Sequence, residues 1–357
     1  MNDAKRIDWI DAAKGIGIIA VVVGHVVEPT GYLARTLYSF HMPLFFVISG
    51  YLFNFEKNDA DLPKTIKTKF HHLMIPYFVC GVSVFSIWLL FSCPKPFVAT
   101  PGGAIAALAS QSLVSYLYGI GQINVLASLA WITPVGTAWF LAALFCTEIL
   151  FLFFLKALRR APAGIRLCAA ISMALLGVLI GRKIFLPWSL DISFVALLFV
   201  LVGYELKQHD YVARATVWHA LGAGVVWFGC MSFSMLSMNN RQYDNFPLAM
   251  TGAVAGSFAV LYVAKTVSRF VPAMASVGKR SLVIMLAHPV LFYYLPAGSP
   301  IRYHWSWESV YLLAASLATS VVIEAIILSL AKPIWSAARR GAREHAAART
   351  ERLQASL

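Results

Sequence analysis

Lys14 and His25 lie at the two ends of the first long apolar stretch, and their types and spacing suit acid–base chemistry. They are eleven positions apart in the sequence, which in a helix places them on one face and about 16 Å apart. An imidazole exchanges protons close to neutral pH, so His25 suits a general base that removes a proton from an attacking hydroxyl group. The alternative for His25 is a structural hydrogen bond between neighbouring helices.

Other polar side chains also interrupt apolar stretches. They are His41, Ser49, Glu148, His288 and Glu324. An ionisable side chain inside a bilayer costs several kcal/mol unless it faces protein or water. Counting helical rise from the flanking basic residues places the two glutamates, His25 and His288 near one depth. If their faces converge, they form a buried polar chamber. The alternatives are a helix-kink cap for His288, carboxylates paired to neighbouring helices, and close packing for Ser49-Gly50.

The elements that must position these residues are membrane helices. The chain has 357 residues, of which 59% are hydrophobic and 13% charged, whereas a soluble domain carries about 25% charged residues. Mean hydropathy is +0.72. The apolar blocks reach the roughly 17–25 residues that a helix needs to cross a bilayer. These values exclude a sizeable soluble domain and predict an all-α, polytopic membrane helix bundle.

Polar breaks predict ten spans. They are 13–29, 37–55, 73–92, 135–156, 167–182, 191–205, 215–236, 247–265, 280–296 and 308–331. The semi-apolar segment 104–131 is interfacial or re-entrant, and a full crossing there would make eleven. With a cytoplasmic N-terminus, 23 of the 29 Lys and Arg residues fall on the cytoplasmic side. The positive-inside rule therefore favours ten spans with both termini in the cytoplasm.

The predicted membrane-embedded domain covers residues 1–336, and a basic cytoplasmic tail follows over 337–357. The net charge of +13 is explained by basic loops that face anionic membrane lipids. No motif for binding nucleic acid is present. The five cysteines form no C-x-x-C pair, so no metal site is expected. The sequence leaves the oligomeric state open.

Four segments, taken in chain order, point to a known family. Residues 6–15 run into Gly24-His25, with a basic residue, ten intervening residues and a histidine. Residues 40–51 read Phe-His-Met-Pro-Leu-Phe-Phe-Val-Ile-Ser-Gly-Tyr. A Trp-Phe-Leu element follows at 139–141, and a Gly-x-x-Ser-Leu…His element occupies 278–288. The chain thereby resembles the acyltransferase-3 family of integral membrane O-acyltransferases.

The resemblance implies an enzyme of the inner (cytoplasmic) membrane. It would transfer an acyl group, expected to be acetyl, from acyl-CoA to a sugar hydroxyl in an exopolysaccharide or lipid-linked glycan. It implies catalytic roles for His25, His41 and Lys14, with His41 orienting the base or donating to the developing oxyanion. It also implies that Lys14, Lys69 and His72 bind the phosphates of the donor, acetyl-CoA or another acyl-CoA.

One segment departs from the family pattern. The family usually has an Arg-x-x-Arg pair at the start of the third helix, and here Lys69 and His72 stand in its place. Part of the charge is kept, but the planar guanidinium group that binds phosphate with two hydrogen bonds is lost.

Two other classes of function remain open from the residues alone. A transporter or lipid-linked-sugar flippase would use the buried His and Glu residues as a proton relay. A membrane sensor or scaffold would show no chemistry that depends on His25. The sequence leaves open the acceptor, the acyl chain, and whether transfer is direct or passes through an acyl-enzyme.

Overall fold

Helices make up almost all of the part of the chain that this computed structural model describes, namely residues 7–25, 27, 31–92, 113–119, 121, 135–294, 314 and 318. The first helices are α1 (Asp8–Gly24), α2 (Tyr32–Leu52), α3 (Phe55–Asp59) and α4 (Leu62–Lys69). A π-helical segment (Phe70–Met74) then leads into α5 (Ile75–Ser92). Residues 113–118 are also helical.

The second half of the described chain is also helical, apart from one small β-hairpin. A 3₁₀ turn (Gly136–Ala138) leads into α6 (Trp139–Leu158), and α7 (Ala163–Gly181) follows. A second 3₁₀ turn (Pro187–Ser189) leads into α8 (Leu190–Gln208), α9 (Tyr211–Arg214) and α10 (Val217–Phe233). Strands β1 (Leu236–Ser237) and β2 (Gln242–Tyr243) pair antiparallel. Helices α11 (Phe246–Val267), α12 (Pro272–Lys279) and α13 (Ser281–Tyr294) complete the order.

The architecture is that of an all-α membrane protein. Four helical stretches among the described residues are long and apolar enough to cross a membrane: Gly136–Leu158, Ala163–Gly181, Pro187–Gln208 and Phe246–Val267. Helix α10 is apolar but shorter. The predicted total of ten spans stays a prediction. The segment 308–331 (apart from 314 and 318), most of 104–131, and the tail 337–357 lie outside the described residues.

The first helix is shifted relative to its predicted range of 13–29. Helix α1 begins at Asp8 and ends at Gly24, and His25 is its C-terminal cap. The earlier start is favourable because Asp8 and Asp11 lie in the first turn, where the helix dipole stabilises negative charge. The prediction of His25 inside a continuous helix was therefore wrong. Its backbone N–H still bonds to the carbonyls of Val21 and Val22.

Close helix packing through glycine holds the bundle together. A methyl group at Gly50 of α2 would collide with the carbonyl group of Val200 on α8. In return, one at Gly203 of α8 would collide with the carbonyl group of Val47 on α2. The interpretation of Ser49-Gly50 as a close-packing element is thus confirmed for Gly50.

Close packing through glycine also joins α1 to α12. A methyl group at Gly278 would collide with the carbonyl group of Asp11, and one at Gly15 would collide with that of Met274. The backbones of α1 and α12 therefore touch directly. This contact fixes the position of α1, the helix that carries Lys14 and leads to His25.

A buried ion pair anchors the β-hairpin to the start of α8. The side chains of Arg241 and Asp191 are only 4% and 1% exposed, and Arg241 Nε lies 2.9 Å from Asp191 Oδ2. The guanidinium carbon lies 3.9 Å from the centre of the Phe185 ring. The backbone N–H of Leu186 donates to Asp191 Oδ1. The hairpin is thereby attached to the helical bundle through one charged contact.

Candidate functional site

Three of the histidines singled out in the sequence come together at the end of α1. The ring centroids of His25 and His288 are 5.3 Å apart. The Tyr38 ring lies 6.2 Å from that of His25 and 4.9 Å from that of His41. Helices α1, α2 and α13 each contribute to this group, which is named here the histidine cluster: His25, Tyr38, His41 and His288.

Two members of the histidine cluster are held in one orientation by their own helices. His41 Nδ1 lies 2.6 Å from the carbonyl oxygen of Leu37, and His288 Nδ1 lies 2.8 Å from that of Ile284. A carbonyl oxygen only accepts, so each neutral ring carries its proton on Nδ1 and leaves Nε2 as an acceptor. Both side chains are buried, at 3% and 0% exposure.

His25 differs from these two histidines because its side chain is exposed. Its ring nevertheless lies close to those of His288 and Tyr38, at centroid distances of 5.3 and 6.2 Å. Within the described ranges, its ring nitrogens make no hydrogen bond to protein. His25 is therefore the exposed imidazole of the cluster, and it lies beside two buried histidines.

A second polar group lies elsewhere in the bundle. Glu148 Oε2 is 2.6 Å from Lys69 Nζ, and Ser49 Oγ donates to Glu148 Oε1 at 2.6 Å. Lys69 Nζ also lies 5.3 Å from the centre of the Phe53 ring. These side chains, Lys69, Glu148 and Ser49, are named here the ion-pair cluster. Both charged side chains are mostly buried, at 15% and 17% exposure.

The two clusters lie at different depths. Ser49 follows His41 by eight residues on α2, which corresponds to about 12 Å of helix. Glu148 accepts a hydrogen bond from Ser49. Its carboxylate therefore lies about 12 Å along α2 from the level of His41. The expectation that Glu148 shares one depth with His25 and His288 was wrong. Helix rise counted from a flanking lysine ignores how far each helix is displaced along the bundle.

The π-helical segment separates the two residues that replace the family's basic pair. Lys69 ends α4, and the segment Phe70–Met74 follows at once. A π turn adds a residue to the turn and so rotates the chain that follows. Lys69 lies against Glu148 in the interior, whereas His72, within the π-helical segment, is exposed. The structure does not present Lys69 and His72 as a matched pair.

Lys14 lies towards the other end of α1 from His25, and among the described residues it forms no ion pair or hydrogen bond with either cluster. Its Nζ is 3.4 Å from Asp11 Oδ1, and its side chain is 27% exposed. It does not contact His25, because the eleven intervening steps correspond to about 16 Å of helix. The remaining candidate, Glu324, lies outside the described residues.

Tyr38 was missed in the sequence, although its position carried a signal. It precedes His41 by three residues, and residues three apart lie on the same helix face. A second missed contact comes from Thr137, whose hydroxyl donates to the carbonyl of Met285 on α13. This bond ties the turn before α6 to the helix that carries His288.

The sequence matches the model of a known protein family. No curated protein matches the chain. The family model for the acyltransferase domain of the acyltransferase-3 type matches residues 7–328. That range covers nearly the whole chain and contains both the histidine cluster and the ion-pair cluster. The chain therefore belongs to the acyltransferase-3 family of integral membrane acyltransferases.

Proposed function

We propose that this membrane acyltransferase is an O-acetyltransferase that uses acetyl-CoA and acetylates a sugar hydroxyl of an exopolysaccharide or lipid-linked glycan. Family membership supports acyl transfer. The observation that carries the proposal is the accessible His25 ring beside two buried histidines of fixed orientation. A reacting hydroxyl group needs a base that it can touch, and His25 offers one.

The proposed chemistry assigns the proton to His25. His25 takes the hydroxyl proton as the sugar oxygen bonds to the acyl carbon, and it returns that proton to the thiolate sulfur as the carbon–sulfur bond breaks. His41 presents Nε2 as an acceptor in its neutral form. This favours a role for His41 in orienting a hydrogen-bond donor. Stabilising an oxyanion would instead require the protonated ring of His41.

Donor binding is proposed on the side of the bundle that holds Lys14, Lys69 and His72. Cationic groups there would hold the phosphates of acyl-CoA. The ion-pair cluster lies about 12 Å along α2 from His41, a separation that an extended pantetheine arm can bridge. The thioester would then reach His25 while the phosphates stay near Lys69. The sugar would approach the histidine cluster from the opposite side.

The proposed topology has ten spans, both termini in the cytoplasm, and a location in the cytoplasmic membrane. A reporter inserted after Ala161, in the turn between α6 and α7, is expected to show a cytoplasmic signal. One inserted after Asn240, at the tip of the β-hairpin, is expected to show an external signal. The Lys and Arg distribution is the physical reason. Signals from the same side at both positions would contradict the proposed topology.

The function is tested with purified full-length protein in detergent. Acetyl-CoA is expected to release free CoA thiol in proportion to the amount of folded protein, and heat-unfolded protein is the control. In parallel, cells that lack the protein are expected to lose an acetyl ester from a surface glycan, as measured by mass spectrometry. A transporter or flippase would release no CoA. Absence of both effects would contradict acetyl transfer.

A further inference from the structure

We propose that Glu148 is an internal counter-ion for Lys69, which a phosphate group of the donor displaces when it binds. The inference rests on the proposed function, because it takes Lys69 as a donor-binding residue. Glu148 would then determine how strongly Lys69 holds a phosphate group of the donor. It would do so without contacting the reacting atoms, as a residue that determines donor affinity.

The contact geometry shows why Lys69 is already engaged. Its ammonium group lies 2.6 Å from Glu148 Oε2, and the other carboxylate oxygen accepts from Ser49 at 2.6 Å. With only 15% and 17% of these side chains exposed, little water screens the attraction. An anion that approaches Lys69 therefore meets a cation whose charge is already balanced.

Exchange of partners is physically reasonable for these groups. Lysine is a point charge with rotatable donors, so it can turn from a carboxylate to a phosphate without rebuilding its surroundings. A phosphate offers more negative charge and more acceptor oxygens than a carboxylate. After the exchange, Glu148 would keep the hydrogen bond from Ser49. The carboxylate would therefore not be left without a donor.

A second ion pair of similar burial shows what a fixed contact looks like. Arg166 and Glu205 are 14% and 20% exposed, and their shortest charged contact is 2.7 Å. Arg166 also donates to the carbonyls of Arg159 and Ala161, so it is held on several sides. Among the described residues, Lys69 donates to Glu148 alone. Of these two mostly buried pairs in the described part of the chain, the Lys69 pair is the one whose cation donates to a single acceptor.

The test measures equilibrium binding of CoA and of pantetheine, which has no phosphate, to the full-length protein in detergent. Glu148→Gln keeps the size and one hydrogen bond of the side chain but removes its charge. This variant is expected to bind CoA about fivefold more tightly, since an ion pair no longer has to be broken. Pantetheine binding is expected to stay unchanged. Glu205→Gln is the matched control and should leave CoA binding as in the parent protein.

Two further variants guard against misfolding and indirect effects. Glu148→Asp shortens the side chain while keeping the charge, so it is expected to give a smaller gain in CoA affinity. Adding Glu148→Gln to the Lys69→Gln variant is expected to give no gain in CoA affinity over Lys69→Gln alone. Unchanged or weaker CoA binding in the folded Glu148 variants would overturn the inference, as would an equal gain for pantetheine. If the parent protein neither binds CoA nor releases it from acetyl-CoA, the proposed function itself fails.

Discussion

Replacing His25 with alanine is expected to lower acyl transfer by a factor of about 10²–10⁴, the usual contribution of a positioned general base. The protein should remain inserted and abundant, because His25 caps α1 through its backbone N–H and its accessible ring makes no described hydrogen bond. The measurement is acetylated product per molecule of folded protein. This normalisation separates a loss of chemistry from a loss of protein.

Glutamine at position 25 separates the two roles that the ring can have. Its amide makes hydrogen bonds but does not accept a proton from a hydroxyl group, so His25→Gln should fail nearly as badly as His25→Ala. His219→Gln is a suitable control. His219 is exposed and closes a capping box with Thr216 at the start of α10, a role that glutamine also performs. Near-normal transfer by His25→Gln would contradict the assignment and direct attention to His41 or His288.

Hydropathy predicted the long helices well because the thickness of the bilayer limits their length. The predicted spans 167–182 and 247–265 correspond to Ala163–Gly181 and Phe246–Val267. Shorter elements were missed for the same reason. Helix α12 has eight residues, and the strands of the hairpin have two residues each. Neither is long enough to stand out from a polar break between spans.

The types of residue in the candidate site were predictable, but their grouping was not. A histidine inside an apolar stretch is conspicuous, so His25, His41 and His288 could be picked out from the sequence. Their meeting depends on how α1, α2 and α13 pack, and the glycine contact between α1 and α12 joins segments more than 250 residues apart. Local spacing carries no information about such a contact.

The ion-pair cluster illustrates the same limit for charged residues. A half-buried glutamate implies a partner on another helix, and that alternative was recognised for Glu148. The identity of the partner was not, because Lys69 lies 79 residues away and the π-helical segment Phe70–Met74 that follows it changes the helical register towards His72. A one-residue change in helical register leaves no sign in composition or hydropathy.

Asp191→Ala is expected to lower the free energy of unfolding by about 3–5 kcal/mol, because it leaves the buried charge of Arg241 without its partner. Asp191 receives hydrogen bonds from the Arg241 side chain and from the backbone of Leu186, so one truncation removes both contacts. Heat or denaturant unfolding in detergent, followed by the amount of folded protein, measures the change. The exposed Lys156–Asp59 pair is the control, and Asp59→Ala should cost no more than about 1 kcal/mol.

The double variant Asp191→Leu with Arg241→Met shows whether the buried charge itself causes the loss. Apolar side chains of similar size remove both charges and still fill the space beside Phe185, so most of the stability should return. The coupling between the two positions should therefore be large and should offset most of the loss in Asp191→Ala. Additive losses at the two positions would mean that the pair contributes only through packing. A cost for Asp191→Ala as small as that for Asp59→Ala would show that the hairpin is not held by this contact.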